Sequence, residues 1–165
     1  MGTCDSPIFH VPRNAGITVP KSTVDKCIEY VKACQQRPEG SFRYMKMMPK
    51  HGFALTAAGI VALYSAGIYK GYEIDTGLQY LVRSRPNAGT RPDMHYFYGH
   101  YYAVQAMWTA GGDYWKDWYP VVRDEMISRQ RPDGFWEDQI CNHYATAMAC
   151  IILQIPNNYL PILQK

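Results

Sequence analysis

The sequence predicts an all-α protein built from three copies of one helical hairpin, and three observations carry that expectation. Two segments share a turn string: Gln35–Phe42 reads Gln-Gln-Arg-Pro-Glu-Gly-Ser-Phe, and Arg129–Trp136 reads Arg-Gln-Arg-Pro-Asp-Gly-Phe-Trp. A degenerate copy, Arg85-Pro86-Asn87-Ala88-Gly89, stands between them, so the turn glycines fall at 40, 89 and 134. The segments that follow the turns align without gaps: Phe53 to Ile60 lies over Phe97 to Val104, and both lie over His143 to Cys150. Self-similarity at this period marks stacked supersecondary units that share one core.

Each unit reads as an outer helix, a turn and an inner helix. The outer helices are expected at about Lys21–Gln36, Ile74–Arg85 and Tyr114–Gln130. The first carries Val24, Cys27, Ile28, Val31 and Cys34 at amphipathic spacing, with Ser22 or Thr23 to cap it and Asp25 and Glu29 near its positive end. The inner helices are apolar nearly all round and rich in Ala and Gly, which predicts burial on every side. The first two end at Ala66-Gly67 and Ala110-Gly111, where glycine suits a left-handed cap. The third ends at Pro156-Asn157, and Pro cannot continue a helix. Residues 1–20 are read as an N-terminal extension and 21–165 as the repeat domain.

Composition narrows the function classes. A chain of 165 residues, 47% hydrophobic and 19% charged, is long enough for a real core and too apolar to be disordered. The net charge is +3 with scattered Lys and Arg, so no basic stripe for nucleic acid is expected. No stretch approaches a membrane span, and no apolar leader is visible, so a cytoplasmic location is expected. The five cysteines include no CxxC pair, which argues against a disulfide framework or zinc knuckle. They read as small buried hydrophobes.

The Gln-x-x-x-Gly-x-aromatic turn, clearest at Gln130…Gly134…Trp136, resembles the repeat of the squalene-cyclase, terpene-cyclase and protein-prenyltransferase superfamily. The segment from Tyr144 to Pro161 is similar to the C-terminal end of uncharacterised planctomycete members. The resemblance implies that the three hairpins form part of an α/α toroid, and that the Gln and Trp of each turn tie neighbouring hairpins together. It implies a fold better than a reaction. The cyclase Asp-x-Asp-Asp run and the diphosphate-ionising Asp-Asp-x-x-Asp are both missing. The prenyltransferase zinc set is incomplete: His143 stands in the matching place, but the one Asp-x-Cys, Asp25-Lys26-Cys27, opens an outer helix. No cofactor and no tightly held metal are therefore expected. If zinc were present, Asp138, Cys141 and His143 would be the candidates, at a spacing no common zinc class uses. Glu137 and Asp138 with Asp133 read as capping acids of a solvated loop sooner than as a glycosidase pair.

The inner-helix aromatics carry the functional expectation. Phe53 and Tyr64 lie on the first inner helix. Phe97, Tyr98, Tyr101, Tyr102 and Trp108 lie on the second together with His100, and Tyr144 lies on the third. In the resembled enzymes such rings line a cavity for isoprenoid chains; filling the core of a small domain is the alternative role for them. The expected function is a non-catalytic module that binds an apolar ligand, isoprenoids among them, or a protein segment on an aromatic concave face. A cyclase or prenyltransferase-type enzyme completed by further chain, and a purely structural assembly module, are the alternatives. Three hairpins leave inner surface uncovered, so a homodimer or the remaining hairpins of a larger chain is the expected partner.

Overall fold

The computed structural model describes residues 19–86 and 95–157. These form six α-helices: α1 (Lys21–Ala33), α2 (Phe53–Ser65), α3 (Tyr72–Arg83), α4 (Tyr96–Ala110), α5 (Gly112–Ser128) and α6 (Asn142–Gln154), followed by a 3₁₀ turn at Ile155–Asn157. Among the described residues there is no strand, only two isolated bridges, Gln35 with Phe42 and Arg43 with His51. No described helix is long and apolar enough to cross a membrane.

The inner helices pack side by side in the order α2, α4, α6, with α4 central. The outer helices α1, α3 and α5 lie against them. The extensive outer–inner contacts join α2 to α3 and α4 to α5, that is, each inner helix to the outer helix that follows it. The contacts across the Gln-bearing turns are slighter. The closest-packed hairpins are therefore inner–outer, joined at the glycines. Gly67 has φ +84, its N–H reaches the Tyr64 carbonyl at 2.9 Å, and the Ile68 N–H reaches Leu63 at 2.9 Å. These two bonds close a Schellman motif. At the second joint Gly111, φ +67, ends α4 and caps the start of α5.

The matching turns are equivalent in three dimensions. The Phe42 N–H donates to Thr56 Oγ1 at 2.9 Å, and the Trp136 N–H donates to Thr146 Oγ1 at 3.1 Å. Thr56 and Thr146 occupy the same column of the ungapped inner-helix alignment. The shared string misplaces one residue, however. Gln36 N–H donates to the Ser41 carbonyl and Arg131 N–H to the Phe135 carbonyl, each at 2.8 Å. Gln35, not Gln36, thus matches Gln130, and the first turn holds one residue more. The middle copy is described only through Pro86; Asn87, Ala88 and Gly89 lie outside the described residues.

The first turn is clamped onto the next outer helix. Gln35 Nε2 donates to the carbonyls of Gly40 and Glu73 at 3.1 and 2.9 Å and to Thr76 Oγ1 at 3.1 Å. Arg37 donates to Glu73 at 2.8 Å and stacks 4.4 Å from the Tyr72 ring centre. Gly40 and Gly134 both hold positive φ, +90 and +87, but a Cβ on Gly40 would come within 2.4 Å of the Thr76 carbonyl whereas one on Gly134 meets nothing within 4 Å. Gly134→Ala should therefore cost only the left-handed backbone penalty, roughly 1–2 kcal/mol. Gly40→Ala should cost clearly more, because backbone must also move. Urea melts of the two variants check the difference.

Three expectations are corrected. Helix α1 begins after Pro20 with no side-chain cap, so Ser22 and Thr23 lie inside its first turn, and Asp25 pairs at 2.8 Å with Lys21 on the surface. Of the cysteines described, only Cys34 is buried; Cys27, Cys141 and Cys150 are exposed. Helix α6 is not buried on every side: His143, Ala147, Cys150 and Gln154 are exposed along one of its flanks. The reason is common to Cys27 and the α6 flank: among the described residues α1 is the first helix of the row and α6 the last, so neither is covered on both sides by described helices.

Candidate functional site

Helix α4 divides its aromatics between two faces. Tyr96, Phe97, His100, Val104 and Met107 are buried. On the opposite side Tyr98 is 39% exposed, and Tyr101 and Tyr102 are half-buried. Tyr98 and Tyr102 sit one turn apart with ring centres at 4.9 Å, and Tyr101 meets Tyr102 edge-on at 5.0 Å. Spacing i, i+3, i+4 on one helix puts the three rings in one stripe. Burial, then its neighbour Tyr98, raises the Tyr102 phenol above its ordinary value, so the hydroxyl stays protonated at neutral pH.

The aligned columns extend this stripe across the inner layer. Tyr98 matches Ala54 on α2 and Tyr144 on α6; Tyr102 matches Ala58 and Met148; Gln105 matches Val61 and Ile151. All six matched residues are partly exposed. The layer thus presents small residues on α2, tyrosines on α4, and Tyr, Met and Ile on α6. Such a strip is apolar with a few hydroxyls, and it suits a ligand that offers mostly hydrocarbon.

The other predicted site residues fall elsewhere. Tyr64 and Phe97 belong to the core, and burial drives the Tyr64 phenol up to about 12, with Tyr114 and Asp75 adding to it. His100 is fully buried, with Phe53 beside it at 5.2 Å between ring centres. Trp108 packs edge-on against Trp115 at 4.8 Å, which stacks on Tyr119 at 4.3 Å. Tyr144 opens α6, its phenol raised by burial and by Asp138. Of the nine residues, Tyr98, Tyr101 and Tyr102 form a contiguous surface stripe.

A buried polar cluster was not foreseen from the sequence. Glu125, 6% exposed, accepts hydrogen bonds from the Tyr96 hydroxyl at 2.6 Å and from Arg129 at 3.0 and 3.1 Å, and Arg85 stands 3.5 Å away. The Arg129 guanidinium lies 4.6 Å over the Tyr96 ring. Tyr96 also offers its carbonyl to His100 Nδ1 at 2.9 Å. Glu125 Oε1 accepts all three of these hydrogen bonds and Arg85 faces Oε2 as an ion pair, so the enclosed cluster joins α5 to α4 and to the residue just past α3. Its one sequence signal was Glu125 four residues before Arg129 on a predicted helix.

The third turn borders a cavity of about 520 Å³ lined by Phe97, Arg129, Arg131, Trp136, Glu137 and Asp138 among others. The acids there are engaged: Glu137 pairs with Arg131 at 3.6 Å, and Asp138 accepts from the Ile140 N–H at 2.9 Å. Cys141 serves as the N-cap of α6, its sulfur accepting from the Tyr144 N–H at 3.4 Å, while His143 is exposed in the first turn. Among the described residues no three His, Cys, Asp or Glu side chains gather as a metal-holding group. The chain matches no protein-family model, no curated protein and no solved structure.

Proposed function

We propose that this chain is a non-catalytic module of the α/α-toroid type, and that the tyrosine-bearing face of its inner layer binds an apolar ligand of isoprenoid class or an apolar protein segment. The observation that carries the proposal is the stripe of Tyr98, Tyr101 and Tyr102, which stays partly open to solvent on the central inner helix. A core-filling role would bury those rings as it buries Phe97 and Met107. The toroid reading is supported by the two equivalent turns, where Gln35 reaches the following outer helix and Trp136 Nε1 reaches the Met126 carbonyl at 2.7 Å. Gln35 ties its turn to the following outer helix and Trp136 ties its turn to the preceding one, as the squalene-cyclase and prenyltransferase repeat would require, whereas Gln130 departs from that expectation and donates to the Gly134 carbonyl of its own turn.

The test is a fluorescence titration with farnesol, a neutral isoprenoid alcohol, read through the aromatic emission. Saturable binding is expected, and Tyr98→Ala and Tyr102→Ala should each weaken it by roughly tenfold, the loss of one aromatic contact. Farnesyl diphosphate should bind no better than farnesol and be returned unchanged, as judged by mass spectrometry. Turnover of the diphosphate would establish the enzyme reading instead. Absence of binding, or tyrosine variants that bind as the parent does, would refute the proposal.

A further inference from the structure

We propose that helix α1 of one copy of this chain docks head to tail on α6 and the third turn of a second copy, with Cys27 of one facing Cys150 of the other. The repeat itself defines the vacancy. Helices α3 and α5 each pack most extensively on the inner helix that precedes them. Among the described residues α1 has no inner helix before it, and α6 has no outer helix after it. The row therefore ends in two complementary halves of the same contact.

The side chains repeat this complementarity. Helix α3 carries Ile74, Gly77, Leu78 and Leu81, all buried. Helix α1 carries Val24, Cys27, Ile28 and Val31 at identical spacing, and none is buried. Ile28 and Val31 reach the core only in part. An apolar stripe that is covered in one repeat and only half-covered in its twin, with Cys27 exposed, lacks part of the partner surface the first one has. The third turn tells the same story. Gln35 grips α3, but Gln130, its equivalent, is exposed and donates to the Gly134 carbonyl of its own turn at 2.9 Å. Gly40 touches Thr76, while Gly134 faces open space.

The register names the contact at its centre. Gly77 of α3 lies against Ile60 of α2, close enough that a Cβ there would stand 3.0 Å from Ile60 Cδ1. Cys27 matches Gly77, and Cys150 matches Ile60 in the inner-helix alignment. Both thiols are exposed in the single chain. A docked second copy brings them together, and two such contacts related by a two-fold axis close six hairpins into a ring. A second copy is favoured as occupant because, among the described helices, its α1 has the spacing of α3 and a stripe that is only half-covered.

The test is oxidation of the full chain at micromolar concentration with diamide, which takes two electrons and two protons to become its hydrazine as two thiols become one disulfide. The expected product is a dithiothreitol-reversible covalent dimer whose joined peptides contain Cys27 and Cys150. Cys27→Ser or Cys150→Ser should abolish it, and Cys141→Ser should not. Sedimentation gives a second measure: Cys27→Arg and Cys150→Arg should each raise the dimer dissociation constant by about 30-fold or more, as loss of a central contact does. Each should keep its helicity, because both positions are exposed in the single chain. An equal mixture of the two arginine variants should recover a dimer, since one of its two interfaces is intact. A monomer across the micromolar range, a dimer indifferent to both arginines, or cross-linking through another cysteine pair would overturn the proposal. So would protection of Cys27 and Cys150 from alkylation in a monomer, which would show that the chain covers these faces itself.

Discussion

Trp136→Ala is expected to destabilise the fold by roughly 3–5 kcal/mol, the usual cost of truncating a fully packed large aromatic. The ring is 4% exposed. It stands between the end of α5 and the start of α6, and its Nε1–H donates to the Met126 carbonyl at 2.7 Å. Truncation opens a cavity beside Phe97 and leaves the Met126 carbonyl without that donor. Trp136→Phe restores most of the volume but not the donor, so it should lose about 1–2 kcal/mol, the cost of a buried acceptor left short. Chemical melts of the two variants separate packing from hydrogen bonding. A melt unchanged in Trp136→Ala would show that the turn does not tie α5 to α6.

Acid should weaken this protein through His100. Burial presses its imidazole from 6.5 down to about 4, against smaller opposing pulls from the Tyr96 carbonyl and Glu125. The folded state therefore binds a proton less readily than the unfolded chain. No penalty exists above about pH 6.5; it grows as pH falls and is complete below about 4, where it amounts to about 3 kcal/mol. The structural cause is visible: Nδ1 is engaged by the Tyr96 carbonyl, Nε2 is buried without a hydrogen-bond partner among the described residues, and Phe53, Tyr96 and Trp118 surround the ring. Urea melts at pH 7 and pH 4.5 should differ by much less in His100→Leu than in the parent. Equal pH dependence in both would place the acid-sensitive group elsewhere.

His100 also shows where the repeat departs from itself. Its column holds Thr56 in α2 and Thr146 in α6, whose hydroxyls accept an N–H from the aromatic residue of the turn. An alignment reveals that a histidine has replaced a threonine. It does not reveal that the histidine is sealed among rings, because that depends on Phe53 and Trp118, which lie far from it along the chain.

The local and periodic part of the fold is legible in short stretches of residues. Apolar spacing, the small residues of the inner helices, the capping glycines Gly67 and Gly111 and the shared turn string are properties of short segments, and they place six helices and two equivalent turns within a few residues. Those signals are local because backbone conformation and side-chain periodicity are local. Tertiary structure alone decided which members of a uniform pattern are covered. Tyr98 and Phe97 are adjacent aromatics on one helix, yet one is open and the other is core, since α2, α5 and α6 cover the rest of α4 and leave the Tyr98 side open. Val24 and Ile74 begin stripes of the same spacing, yet only the second is buried, because burial requires a neighbour and α1 is the first helix among the described residues. The same asymmetry left Cys27 and Cys150 exposed, where composition read them as core.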